Sequence, residues 1–191
     1  MANSKLIIIE GAQGAGKTTY TDYIRHTLSY TNLYRLSGTA DTTKSGLLKA
    51  KNMYDNLLKY MESLENNSIN LVFDRTFFTE EVYCRLGKKE YSFTEVYNNL
   101  LEKFSKLDFE IYYITLFLEN EKVYEERLNR NGKAVFEASK FSIDNSIGQQ
   151  KEYLKLADEI KEMYPNINVI NIQTDRPKED VEKKIREVLE Y

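Results

Sequence analysis

The sequence contains one cysteine, Cys84, and one histidine, His26. A lone thiol closes no disulfide within the chain, and one thiol with one imidazole cannot furnish the nitrogen and sulfur ligands of a transition-metal site. Only two prolines are present, Pro165 and Pro177, and no Pro/Gly-rich stretch, internal repeat or low-complexity segment marks a linker. No apolar run approaches the ~20 residues that a membrane-spanning helix needs. Lysine and arginine total 27 against 30 aspartate and glutamate, a formal charge of −3, with no basic block. That balance argues against nucleic acid as the partner. Met1 to Lys5 lacks the basic region and apolar stretch of a secretory signal, so with its unpaired thiol the chain is expected in a reducing interior such as the cytoplasm.

What is present fits a globular chain, 41% hydrophobic and 30% charged over 191 residues, long enough for one domain with a buried core. Short apolar or β-branched runs recur at Leu6 to Ile9, Leu33 to Leu36, Ile69 to Phe73, Ile111 to Leu118 and Ile167 to Ile172, separated by Lys/Glu-rich stretches. This alternation predicts about five parallel strands with helices on both faces. The first, third and last runs are nearly continuous, as strands covered on both faces require. Leu47, Leu48, Met53, Leu57, Leu58 and Met61 keep helical spacing, as do Val181, Ile185, Val188 and Leu189. A polar stretch from Asn129 to Ala138 breaks one helical pattern before the next.

Three stretches carry chemistry. In "IIIEGAQGAGKTTY", Gly11, Gly16, Lys17 and Thr18 fit G-x-x-x-x-G-K-[ST] between a predicted strand and a predicted helix. The loop Gly11, Ala12, Gln13, Gly14, Ala15, Gly16, Lys17, Thr18 and Thr19 is expected to turn its amides onto phosphate oxygens at a helix N-terminus. Lys17 would reach the β and γ phosphates and Thr18 would hold Mg²⁺. In "NLVFDRTFFTEEVY", Asp74 and Arg75 stand at the carboxyl end of a strand, the edge where open α/β sheets bind ligands. Asp74 suits Mg²⁺ and Arg75 a second anionic group; Phe77, Phe78 and Tyr83 could stack on a base, Phe78 being the candidate substrate contact, although the same spacing suits a core. In "VYEERLNRNGKAVFEASKF", Arg127 and Arg130 share a helix face leading into the polar segment with Lys133, where mobile cations could neutralise a transferring group.

These stretches, in this order, resemble the thymidylate kinase group of P-loop nucleotide kinases and their relatives the deoxynucleoside kinases. "YYITLFLENEKVYEERLNR", "QQKEYLKLADEI" and "NVINI" extend the likeness over nearly the whole chain. The resemblance implies a three-layer α/β/α P-loop fold of sheet order 2-3-1-4-5 over residues 1–191, with a small lid at about 129–139. It also implies ATP with Mg²⁺ as donor, Arg127 and Arg130 as lid arginines, Arg75 and Arg35 (in "YRLSGT") at the acceptor, and a possible homodimer through the helices flanking the "DR" strand. Two positions depart from the family pattern: Gln13 replaces an acidic residue within the loop, and Leu36 and Ser37 stand where a glutamate follows strand two.

A hydroxyl acceptor benefits from a carboxylate that takes its proton, whereas a phosphate acceptor is already a nucleophile and needs cations. The missing glutamate therefore favours a nucleoside monophosphate, dTMP or another pyrimidine deoxynucleotide, over a nucleoside, with Asp41 as a displaced base in the latter case. A chain that binds ATP without transfer, or that serves a non-nucleotide or polynucleotide acceptor, is a further alternative.

Overall fold

The computed structural model describes residues 4–130 and 142–191. Five strands, β1 (Lys5–Gly11), β2 (Thr31–Arg35), β3 (Asn70–Asp74), β4 (Glu110–Phe117) and β5 (Asn168–Gln173), pair in parallel in the order β2-β3-β1-β4-β5. All five expected strands are thus present, in the expected order. Among the described residues seven helices flank them: α1 (Lys17–Thr27), α2 (Gly46–Ser63), α3 (Phe77–Arg85), α4 (Thr94–Phe104), α5 (Lys122–Arg130), α6 (Ile143–Met163) and α7 (Lys178–Leu189).

The period-2 pleat sends alternate residues of each inner strand to opposite faces. Leu6 and Ile8 join Leu71, Phe73, Ile111 and Tyr113 under α2, α3, α4 and α6, whereas Ile7 and Ile9 join Val72, Tyr112, Ile114 and Ile172 under α1 and α7. Residues of β1 are buried throughout, and the edge strands β2 and β5 are only partly covered. Because β1 lies between β3 and β4, its carboxyl end opens at the centre of the sheet edge, and everything that follows it is placed there.

The helix expected from the spacing of Leu47 to Met61 is present as α2, and one reading on α3, that of Phe78, needs correction. The buried line on α2 runs through Ala50, Tyr54, Leu58 and Met61, while Leu48 is exposed. Tyr54 meets Phe77 and Phe93 edge-on with centroids 6.2 and 6.0 Å apart, and Leu47, Met53 and Leu57 pack partly buried beside this line. Phe78 is fully buried, stacked on Phe77 at 4.2 Å and set edge-on against Tyr113 at 4.7 Å. It is a core residue with no ring face left for a substrate base. Phe77 and Val82 are fully buried beside it, and Tyr83 is partly covered. No described helix is long and apolar enough to cross a membrane.

Candidate active site

The turn from β1 into α1 is built on glycines that other residues could not replace. A Cβ on Gly11 would lie 2.6 Å from the Leu116 carbonyl oxygen on the neighbouring strand. Gly16 adopts φ 100° at the helix N-terminus, a left-handed conformation that favours glycine, and no side chain caps the amides that follow it. The uncapped first turn of α1 therefore faces the sheet edge with donors and the positive end of its dipole. Lys17, largely buried, folds back so that its ammonium donates to the carbonyls of Gly11 and Ala12 at 2.7 and 2.8 Å. Thr18 and Thr19 are exposed at the cleft.

A cleft of about 690 Å³ opens over this turn. Its walls bring together residues distant in sequence: Gln13, Gly14, Gly16, Lys17, Thr18 and Thr19 from the loop, Arg35, Leu36 and Ser37 after β2, Asp74 and Arg75 at the end of β3, Arg127 from α5, and Thr174, Arg176 and Lys178 after β5. Among the described residues the lining has six cationic side chains, Lys17, Arg35, Arg75, Arg127, Arg176 and Lys178, against the single carboxylate of Asp74. On a chain of net charge −3, such segregation gives the cleft a lining that favours anions.

Each cation has its own anchor. Arg35 pairs with Asp22 at 2.6 Å and lies 3.8 Å from Asp74, its register partner across β2 and β3. Arg127 donates to the Gly14 carbonyl at 3.0 Å and to the Thr174 carbonyl at 2.6 Å; the Thr174 hydroxyl in turn donates to the Ala15 carbonyl at 2.7 Å. These bonds tie α5 and the end of β5 to the loop. Arg75 has φ 70°, left-handed for a residue with a Cβ, and its guanidinium donates to the Gln13 amide oxygen at 2.8 Å. Strain of this kind concentrates at functional positions.

Of the expected site residues, Gln13, Gly14 and Gly16 to Thr19 of the loop share one cleft with Arg35, Asp74, Arg75 and Arg127, whereas Gly11, Ala12 and Ala15 are buried and do not line it. Arg130 ends α5, but its side chain, Lys133 and all of the expected 129–139 lid beyond residue 130 lie outside the described residues. Asp41 is not part of the cleft lining. Lys49, Thr43 and Ser45 all donate to its carboxylate and hold its pKa well below the usual carboxylate range, so it is a poor base. Thr174, Arg176 and Lys178 were not singled out in the sequence, although the strand-end rule that selects Asp74 points equally to the residues after β5.

Glu10 was also missed. It is fully buried at the end of β1, accepts from the Thr76 backbone amide at 2.9 Å and from the Thr79 hydroxyl at 2.6 Å, and so ties β1 to the start of α3. Burial raises its pKa to about 7, against the opposing pull of Thr79, Thr76, Arg75 and Lys17. A folded-state pKa above the unfolded value means the native protein binds the extra proton between about pH 4.5 and pH 7. The stability associated with that proton is complete below pH 4.5 and is lost as pH rises through 7. Glu10→Gln keeps the shape and removes the charge. We expect it to flatten the pH dependence of chemical unfolding across this window and to raise stability at pH 8 by about 1–3 kcal/mol.

No protein-family model and no curated protein matches the chain. Among solved structures it is similar to thymidylate kinase from Candida albicans, with TM-score 0.67 and 17% identity over 100% of this chain and 92% of that one. It is also similar to thymidylate kinase from Ehrlichia chaffeensis, with TM-score 0.63 and 16% identity over 98% and 99%. A third similar structure is deoxyadenosine kinase from M. mycoides with bound dCTP, with TM-score 0.59 and 18% identity over 97% and 98%. The chain has the thymidylate kinase-like nucleotide kinase fold.

Proposed function

We propose that this chain transfers the γ-phosphoryl group of ATP to a nucleoside monophosphate, with dTMP or another pyrimidine deoxynucleotide as the first acceptor to test. The observation that carries this reading is the charge of the cleft: six cations face one carboxylate where the phosphate loop meets the strand ends. Two phosphate-bearing substrates bring several negative charges into one space, and their approach is opposed by repulsion unless cations offset it.

In this reading the loop amides and Lys17 hold the donor phosphates. Arg127, anchored beside the loop by Gly14 and Thr174, would meet the transferring group, and Arg130 is the second cation expected for that role. Arg35 and Arg75 hold the acceptor phosphate. Thr18 and Asp74 are hard oxygen donors on the same cleft and suit Mg²⁺, a cation that takes few protein ligands and completes its shell with phosphates and water. Bound there, Mg²⁺ would neutralise charge on the donor phosphates. The unpaired Cys84 fits a cytoplasmic setting.

A nucleoside hydroxyl as acceptor is the second reading, and Glu10 is the observation in its favour, because a carboxylate with a pKa near 7 lies close enough to Arg75 to feel its charge. Both Glu10 oxygens are nevertheless occupied by Thr76 and Thr79. The test is ADP release from Mg·ATP across paired nucleosides and nucleoside monophosphates. We expect turnover with one monophosphate and background rates with its nucleoside. The reverse pattern would replace the first reading by the second.

A further inference from the structure

The two arginines assigned to the acceptor stand at the ends of neighbouring strands, and each leads into a separate segment. Arg35 ends β2 and opens the loop to α2, whose Leu36 and Ser37 line the cleft. Arg75 follows β3 and leads into α3 through Thr76. The Leu36 N–H donates to the Asp74 carbonyl at 3.1 Å, which extends the β2–β3 ladder by one bond. Past it, a different contact joins the segments.

Glu80, buried in α3, is met by a lysine, a tyrosine and the loop backbone. The Lys89 ammonium lies 3.4 Å from one of its oxygens, and the Tyr91 hydroxyl donates to the same oxygen at 2.5 Å. The Lys89 side chain is only 6% exposed, and its ammonium also donates to the Thr39 carbonyl at 2.8 Å. A buried charge thus sits between helix and loop. The loop backbone rests on the other Glu80 oxygen: Gly38 has φ 72°, left-handed, and a Cβ there would lie 3.0 Å from that oxygen. A side chain at this position would be both strained and crowded. The Glu90 N–H adds a second tie, donating to the Thr42 carbonyl at 2.8 Å. Farther along, Asp41 accepts from Thr43, Ser45 and Lys49 and fixes the other end of the loop to α2.

We propose that Glu80 and Lys89 are positioning residues, a buried clamp that sets the spacing of Arg35 and Arg75 and with it the hold on the acceptor phosphate. The inference rests on the acceptor reading above. Glu80 belongs to the helix that Arg75 introduces and Thr39 to the loop that Arg35 introduces, so the tie between them fixes one arginine's backbone relative to the other's. A phosphate gripped by two cations depends on their spacing, and a displacement of ~1 Å can cost up to ~10²-fold in rate. Buried ion pairs are poor sources of net stability; the contribution of this one is geometric. The donor is served from the other half of the cleft, because Arg127 and Thr174 follow β4 and β5, across β1 from the clamp.

Three full-length chains separate positioning from mere support: the wild type, Lys89→Met, and Lys89→Met combined with Glu80→Gln. Lys89→Met strands the Glu80 charge and releases Thr39, and should lower the thermal midpoint by about 5–10 °C. With dTMP, or whichever common monophosphate the wild type turns over, it should raise the acceptor KM at least ~10-fold while the KM for ATP changes less than ~3-fold. Adding Glu80→Gln removes the stranded charge but cannot restore the tie to Thr39. The midpoint should then recover most of its loss, and the acceptor KM should stay raised. The double variant also carries the test alone if Lys89→Met is too unstable to assay. A wild-type acceptor KM in the double variant overturns the inference, because the pair would then only support the fold, and equal shifts in both KM values overturn it too. Calorimetry on the wild type keeps the two readings apart. Binding of ATP but of no monophosphate across the common bases sinks the acceptor reading and this inference with it, whereas a bound monophosphate whose affinity the double variant leaves unchanged rejects the inference alone.

Discussion

Lys17→Met is expected to lower phosphoryl transfer by at least about 10²–10³-fold, with the folded state nearly unaffected. The reason lies in what Lys17 does in the structure. Its ammonium caps the carbonyls of Gly11 and Ala12 at the mouth of the cleft, and these hydrogen bonds contribute roughly 1 kcal/mol to stability at most after exchange with water. On the proposed reading, donor phosphates would bring this ammonium beside the oxygens on which charge grows during transfer. Methionine keeps most of the aliphatic stem that fills the buried site and removes the charge together with the two hydrogen bonds to Gly11 and Ala12. Steady-state kinetics should therefore show a much larger fall in kcat than rise in the KM for ATP, with a thermal unfolding midpoint within a few degrees of wild type. A variant retaining a tenth of the wild-type kcat would mean that the loop does not hold the donor.

The second large effect is on stability and lies away from the cleft. Arg85 at the end of α3 meets three carboxylates: Glu81 on its own helix at 2.8 Å, and Glu152 and Glu159 on α6 at 3.2 and 2.9 Å. Glu81 is fully buried, and Thr94 of α4 donates to the oxygen that also accepts from Arg85, at 2.9 Å. Arg85→Ala would leave a buried carboxylate without its counter-charge and two more carboxylates beside it. Because Glu159 is more than a third exposed, solvent screens its share and the loss comes mainly from Glu81. We expect about 2–4 kcal/mol in chemical denaturation, corresponding to roughly 5–12 °C in thermal midpoint for a chain of this size. The accompanying Glu81→Gln should recover much of that loss in the Arg85→Ala background while costing stability on its own. Additivity of the two changes would show that Arg85 acts through packing alone.

The parts of this protein that were legible in sequence are those whose signal is local. The phosphate loop is a fixed spacing between a strand and a helix, and Asp74 and Arg75 are found because a β-strand run stops beside them. Sheet order followed from resemblance rather than from the strands themselves, whose patterns say nothing about which neighbour each will choose. What stayed hidden depends on contacts made across the fold. Glu10 has meaning only through Thr76 and Thr79, which lie 66 and 69 positions away, and Gln13 only through Arg75, 62 positions away. Phe78 was misread for a related reason. Helical spacing places it beside Phe77 and Tyr83, but whether that face meets a ligand or the sheet is decided by Tyr113 on β4 and by α4. A carboxylate amid the isoleucines of β1 was the clue to Glu10, since a charged group on a strand covered on both faces must have a partner.

The central claim is that the cations of the cleft serve an acceptor that already carries phosphate. Incubating the chain with Mg²⁺, γ-labelled ATP and dTMP or its sister monophosphates, and then separating the nucleotides, tests it most directly. The account predicts label in a nucleoside diphosphate formed from the monophosphate, equal in amount to the ADP released. Label transferred only to a nucleoside supplied in parallel, or recovered only as inorganic phosphate, would contradict it.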